Sequence, residues 1–173
     1  MKQEKNTLRK IMTYTIKVLS FLPTLFLLFL IFGFSAQDGE SSGSLSFQVS
    51  LFLVRLFSPL IPTMQSEDIL IEYAEEIHLY VRKAAHMTEY FLLALSLQLP
   101  LTAWLSKVLN WKKRIVTGAV VTVLLAALDE FHQSFVPGRS GNFIDVCIDS
   151  IGILSATILL CVISFSKRKR ANQ

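Results

Sequence analysis

Four long, mostly apolar stretches limit what this chain can fold into. They lie at about residues 14–34, 84–105, 115–135 and 143–165. A helix needs about 20 mostly apolar residues to cross the hydrocarbon core of a bilayer, and each stretch has roughly that length. Within lipid, only helices and closed barrels satisfy their own backbone hydrogen-bonding groups. The sequence therefore predicts an all-α polytopic membrane protein with four transmembrane helices in a single domain, residues 1–173.

The composition favours the same class. Hydrophobic residues make up 52% of the chain and charged residues 17%, whereas charged residues make up about 25% of a soluble domain. Both cysteines, Cys147 and Cys161, fall in one predicted helix about 21 Å apart, which is too far for a disulfide. We expect membrane lipids as partners and no nucleic acid. No feature of the sequence identifies a cofactor.

The basic residues predict how the chain is oriented. With four spans, both termini and the loop at residues 107–114 lie on one side of the membrane. That side carries 13 of the 17 Lys and Arg residues and one of the 13 Asp and Glu residues. Because basic residues concentrate on the cytoplasmic side, we expect a cell-membrane protein with both termini in the cytoplasm. A cleaved signal peptide is the alternative for the first stretch, but the length of the apolar run favours an uncleaved span.

Two further segments are expected outside the four spans. Leu45 to Ile61 is apolar but contains Arg55 and Pro59, and a fifth crossing there would separate the basic N-terminus from the basic loop. We therefore expect an interfacial or partly re-entrant helix on the outer side. Glu67 to Val81 has apolar residues at helical spacing and five acids between them, which predicts an amphipathic surface helix.

Ionisable residues gather at the predicted outer ends of three spans. Within each helix they are spaced by three or four residues, as in His86 with Glu89, Asp129 with His132, and Asp145 with Asp149, so each pair shares a face. Ionisable groups are costly in lipid, and we expect the three faces to meet in one pocket. The predicted catalytic residues are His86, Glu89, Asp129, Glu130, His132, Asp145 and Asp149. The predicted substrate-binding residues are Lys83, Tyr90, Gln133 and Arg139.

Simpler interpretations stand beside each of these assignments. A histidine and glutamate at the end of a helix can face water without a function. Arg82 and Lys83 are also what an interfacial anchor would contain, and Arg139 is well placed to hold the turn at Pro137 and Gly138. The coincidence of three pairs at one depth favours a shared polar site.

Four motifs resemble those of the VanZ-like membrane proteins, in matching order along almost the whole chain. They are FSAQ at 34–37, RKAAHMTEY at 82–90, DEFHQSFVPGR at 129–139 and DVCIDSIG at 145–152. The resemblance implies a polytopic membrane protein of Gram-positive type, in a family whose founding member is associated with low-level resistance to the glycopeptide antibiotic teicoplanin. It implies no reaction. The positions that match the motifs are Lys83, His86, Glu89, Tyr90, Asp129, Glu130, His132, Gln133, Pro137, Arg139, Asp145, Asp149 and Gly152.

Three functions stay open. An enzyme would act on a lipid-linked or phosphorylated envelope substrate, with Asp or His as base or nucleophile and Arg139 with Lys83 holding a phosphate or carboxylate. In a metal-dependent variant, Asp129 and His132 would face His86 and Glu89. A binding protein without turnover would capture an envelope lipid or an acylated glycopeptide antibiotic. A transporter fits less well, because the inner halves of the spans are nearly free of ionisable groups.

Reporter fusions test the predicted orientation, in which both termini and the loop at residues 107–114 lie in the cytoplasm. A reporter that is active only in the cytoplasm should work when fused at Lys112 and fail when fused at Arg139, and a reporter that is active only outside should show the opposite pattern. Cytoplasmic activity at Arg139 would contradict the predicted topology.

Overall fold

Six α-helices make up most of the chain. The computed structural model describes residues 2–61 and 66–171, and these residues contain no strand. The helices are α1 (Lys2–Leu19), α2 (Leu22–Ser35), α3 (Gly39–Phe57), α4 (Glu67–Leu105), α5 (Trp111–Gln133) and α6 (Phe143–Ala171), with a 3₁₀ turn at Ser58–Leu60 after α3. The predicted all-α class is confirmed.

The first apolar stretch is divided between α1 and α2. Pro23 stands in the first turn of α2, where its missing N–H and fixed φ are tolerated. The Trp104 indole of α4 donates a hydrogen bond of 3.0 Å to the carbonyl oxygen of Lys17, and the Tyr14 ring lies edge-on to it at 5.9 Å. The last turn of α4 therefore holds the joint between α1 and α2.

The α3 helix packs antiparallel along the first half of α4. Its buried residues, Ser42, Ser46, Ser50 and Val54, recur every fourth position and so form one face. Val54 packs against Leu70 and Ala74 of α4. The buried serines are small, and the Ser46 and Ser50 hydroxyls donate to carbonyl oxygens of α3 itself. The serine face therefore leaves few polar atoms unsatisfied.

Helix α4 is a single element about 58 Å long. It joins the predicted amphipathic helix at Glu67 to Val81 directly to the predicted span at residues 84–105. It contacts each of the other five helices. Its second half is therefore the centre of the bundle.

Within residues 2–61 and 66–171, four helical segments are long and apolar enough to cross a membrane. The number agrees with the prediction, but one of the four segments is not the one predicted. They are Gln3–Ser35, Gly39–Leu60, Trp111–Gln133 and Phe143–Arg170. The stretch at 84–105 does not qualify by composition, whereas the segment expected to be interfacial does. His86, Glu89 and Gln98 lower the hydropathy of this stretch, and neighbouring helices partly shield all three, whereas Leu92 and Leu99 on the same helix are exposed. The interfacial position of Leu45 to Ile61 stays a prediction.

The backbones of α4 and α6 come very close at Gly152. A Cβ atom added there would lie 2.1 Å from the backbone oxygen of Met87. Gly152 and the buried Ala156 form a pair of small residues four positions apart, the spacing that lets membrane helices pack closely. The buried core around this contact includes Ile31, Tyr90, Leu93, Ala94, Ala126, Ile153 and Ala156.

Substitution of Gly152 tests how far the bundle depends on this contact. In the Gly152→Ala variant, the new methyl group would meet a backbone oxygen that cannot rotate away, so α4 and α6 must separate. Overpacking of this kind costs about 1–3 kcal/mol, and the thermal unfolding midpoint in detergent should fall. Gly33→Ala is the matched control, because no atom lies within 4 Å of its added Cβ. Equal midpoints for the two variants would show that the close contact does not matter.

A polar cavity between α4, α5 and α6

A polar cavity of about 190 Å³ lies where the end of α5 and the beginning of α6 meet the middle of α4. Its charged lining consists of three cations and three carboxylates, with one histidine between them. Gln133 and Ser140 also line it. The charged and imidazole residues of the lining are Arg82, Lys83, Arg139, Glu130, Asp145, Asp149 and His86.

The loop between α5 and α6 forms one wall of the cavity. The Glu130 carboxylate accepts a 3.0 Å hydrogen bond from the backbone N–H of Asn142. A Cβ atom on Gly141 would lie 2.0 Å from the backbone oxygen of Glu130. Gly138 has a φ of 71°, which favours glycine. These features fold the loop tightly back onto the end of α5.

Lys83 and Asp145 join α4 to α6 at the rim of the cavity. Their side chains form an ion pair, and 45% of the lysine and 32% of the aspartate side chain are exposed. Such a partly exposed pair contributes little to stability. Asp145 also lies in the first turn of α6, where the helix dipole favours a negative charge. The main effect of the ion pair is therefore to hold the Lys83 and Asp145 charges in position at the rim.

His86 and Glu89 are neighbours on α4, as predicted from their spacing. The Nδ1 atom of His86 lies 3.3 Å from Oε2 of Glu89. His86 lines both the polar cavity and an adjacent space between α2, α3 and α4. Glu89 lines the adjacent space. The histidine therefore stands between the two spaces.

Asp129 and Tyr90 are buried side chains that keep unused hydrogen-bonding capacity. Asp129 is fully buried, and its Oδ2 accepts a 3.1 Å hydrogen bond from the Gln133 amide. Among the described residues, neither Oδ1 of Asp129 nor the hydroxyl of Tyr90 has a hydrogen-bond partner. Burying such groups unpaired costs free energy. The two side chains also lie close enough to interact with each other, so the hydroxyl and the carboxylate can pair together as well as with a water molecule or a ligand.

His132 does not join this cluster. Its side chain is exposed and lies edge-on to Phe32 of α2, with 6.3 Å between ring centroids. Along an α-helix, residue i+3 is rotated about 60° from residue i in one direction and residue i+4 about 40° in the other. The cavity lies on the side of Glu130 and Gln133, so Gln133 and not His132 accompanies Asp129. The expectation that Asp129 and His132 present one polar face is not met.

Arg139 connects the loop to the junction between α2 and α3. Its guanidinium donates to the carbonyl oxygens of Ser35 at 3.1 Å and Phe34 at 3.3 Å, and to the Ser42 hydroxyl at 2.6 Å. A cation is favoured at the C-terminus of a helix, where carbonyls lack partners. Burial lowers the pKa of Arg139 from its usual value, and nearby Arg82 acts in the same direction. Arg139 therefore holds the fold together as well as lining the cavity.

Comparison with known proteins gives the family. Residues 20–164 match the family model described as VanZ/LLP1. The chain belongs to the VanZ/LLP1 family. No curated protein and no solved structure matches it. The matched range contains all four motifs noted in the sequence, and this VanZ/LLP1 chain carries the apolar helices of a membrane protein.

The cavity of this VanZ/LLP1 protein does not gather the ligands that the metal-dependent hypothesis requires. Among residues 2–61 and 66–171, no group of three or more His, Cys, Asp or Glu side chains is placed to hold a metal ion. Asp129 and His132, which that hypothesis pairs, face different directions.

Arg82 is a lining residue that was not among the predicted site residues. It lines both the polar cavity and the adjacent space. It stands four residues before His86 and so shares a helix face with it. This spacing would have placed Arg82 in the site.

Substitution of Arg139 and of Arg82 compares how much each arginine contributes to the stability of the fold. In the Arg139→Gln variant, the hydrogen bonds to α2 and α3 are lost, and a hydrogen bond to a charged group is typically worth about 1.5–3 kcal/mol, so the thermal unfolding midpoint should fall clearly. In the Arg82→Gln variant, the repulsion between two cations is relieved and the midpoint should change little. A larger loss for Arg82→Gln than for Arg139→Gln would contradict the structural role of Arg139.

Proposed function

We propose that this protein acts on the head group of a cell-envelope lipid or lipid-linked precursor in the polar cavity. The observation that carries the proposal is the set of cations that face buried carboxylates and an imidazole at the ends of membrane helices. Ionisable groups in such a position are by default candidates for function. The ligand would enter from the membrane surface.

The cations favour an anionic group on the ligand. Arginine binds phosphate and carboxylate through paired hydrogen bonds. Lys83 already pairs with Asp145, and Arg139 donates to the α2–α3 junction. Arg82 is thus the cation best placed to hold a phosphate or carboxylate.

His86 and Asp149 are the candidates for proton transfer. Both line the cavity, and Asp149 is 2% exposed. Imidazole accepts and returns a proton near neutral pH. In an enzyme, His86 would move the proton, Glu89 would orient the imidazole through its contact with Nδ1, and Asp149 with Glu130 would orient the attacking water. Asp129 and Tyr90 lie behind this layer and would support it.

A binding protein without turnover is the second candidate function. This function is favoured because three carboxylates already have partners in the protein. Asp145 pairs with Lys83, Glu130 accepts a hydrogen bond from Asn142, and Asp129 accepts one from Gln133. A pocket for a drug-sized ligand usually has about 300–1,000 Å³, so the 190 Å³ cavity suits a head group better than a whole glycopeptide. An effect on teicoplanin susceptibility would then come through an envelope lipid, or through the acyl chain of the antibiotic.

We also propose that the cavity opens on the outer face of the cell membrane and that both termini are cytoplasmic. The opposite ends of the helices carry the basic segments. Lys17 lies over the Trp104 ring at 5.4 Å, and Arg168 lies over the Trp111 ring at 5.8 Å. Tryptophan is typical of either membrane interface, and the concentration of basic residues favours the cytoplasmic one.

Lipid and cell-wall precursor analysis tests the proposal. Cells that lack the protein should accumulate or lose one envelope species, and the wild-type protein should restore its level. His86→Gln and Asp149→Asn should fail to restore it, whereas the control Glu72→Gln, on the α3–α4 hairpin, should succeed. Teicoplanin susceptibility is measured in the same strains. Full restoration by both cavity variants at equal membrane abundance would rule out the site.

The same variants separate turnover from binding. If the protein is an enzyme, His86→Gln should abolish the change in the lipid while the lipid still copurifies with the protein. If it only binds, the amount of copurified lipid should fall in proportion to the loss of effect.

A further inference from the structure

A second space of about 210 Å³ lies beside the polar cavity, between α2, α3 and α4. Its apolar lining is formed by Phe34, Leu45, Val49, Val81 and Ala85. We call this space the apolar groove. It differs from the polar cavity in its chemistry, because most of the surface that its walls expose is apolar, although polar side chains such as Gln37, Ser46 and Glu89 also line it.

The apolar groove and the polar cavity share three residues. Arg82, His86 and Arg139 line both. Two cations and an imidazole therefore stand at the junction, with three carboxylates beyond them on one side. On the other side the lining is mainly apolar, and its one carboxylate, Glu89, lies 3.3 Å from His86. This is the chemical order of an amphiphile with an anionic head group.

The groove is open along α3. Leu45 and Val49 line it but remain 44% and 43% exposed. Farther along the same helix, Phe52 and Leu56 are also exposed, at intervals that continue one helix face. A chain that leaves the groove would meet more apolar surface.

We propose that the two spaces hold one single-chain anionic amphiphile, with its phosphate or carboxylate in the polar cavity and the first part of its hydrocarbon chain in the apolar groove. This inference rests on the proposed function and names the class of ligand. Neither space alone has the volume of a typical ligand pocket. The rest of the chain lies along α3 in the bilayer.

Photocrosslinking tests the position of the chain. The protein is placed in phosphatidylcholine nanodiscs with dodecyl phosphate that carries a diazirine near the head-group end of its chain. Adducts should concentrate on the groove walls of α3 and α4. Excess dodecyl phosphate should remove them and excess dodecanol should not, while competition by laurate would show that a carboxylate serves as well as a phosphate. Arg82→Gln should reduce labelling about tenfold, as expected for loss of one charge-assisted contact.

Two tryptophan variants separate the groove from the general lipid surface. Val49→Trp fills the groove and should abolish labelling there. Phe52→Trp adds the same ring at a position on α3 that is 65% exposed and does not line the groove, so labelling should persist. Adducts spread evenly over the outer faces of all helices, unchanged by Val49→Trp, would overturn the inference.

Protection of a cysteine in the cavity from a thiol reagent distinguishes a failure of this inference from a failure of the proposed function. Ser140→Cys, in a chain without Cys147 and Cys161, places a thiol at the cavity for reaction with a maleimide. Dodecyl phosphate should protect it at far lower concentration than ethyl phosphate, which has a head group but almost no chain. Equal protection by both would overturn the groove and leave the head-group site standing. Protection by neither would overturn both.

Discussion

The contact between the backbones of α4 and α6 at Met87 and Gly152 determines where the charged side chains lie. Because Gly152 has no Cβ, α6 can lie directly against α4. The first two turns of α6 then place Asp145 beside Lys83, and Asp149 in the same cavity as His86. A larger residue at position 152 would move the acids away from their partners and toward lipid, where a charge is expensive. Close packing and charge placement are therefore one constraint in this protein.

The central position of α4 explains why its composition does not indicate a membrane span. Other helices partly shield the polar residues His86, Glu89 and Gln98 of its second half, while Leu92 and Leu99 stay exposed. The distribution of basic residues predicts that residues 84–105 cross the membrane, whereas hydropathy does not select them. Hydropathy instead selects Gly39–Leu60, whose outward face is apolar. The charge pattern along the chain and the apolar content of each helix thus carry different information about the fold.

The sequence predicts the helices and the meeting of their polar ends, but not the rotation of α5 or the partners of Arg139. Spacings of three and four residues are both compatible with one face, and only packing against α4 and α6 selects Gln133 and leaves His132 outside. Arg139 binds residues 97 to 105 positions away, and no local pattern encodes such a contact. The motifs that resemble those of VanZ-like proteins contain His132, Gln133 and Arg139 alike. They do not distinguish residues that stabilise the fold from residues that face the cavity.

Polar atoms with and without hydrogen-bond partners are unevenly distributed around the cavity. The carboxylates at the rim have partners: Asp145 pairs with Lys83, and Glu130 accepts from Asn142. Deeper in the bundle, Asp129, Tyr90 and the Nε atom of Arg139 keep buried atoms without a hydrogen-bond partner among the described residues. Native proteins rarely leave such atoms unpaired unless water, an ion or function accounts for them. Because Arg139 also closes the junction of α2 and α3, one side chain forms part of the cavity wall and of the groove wall and ties both to the fold.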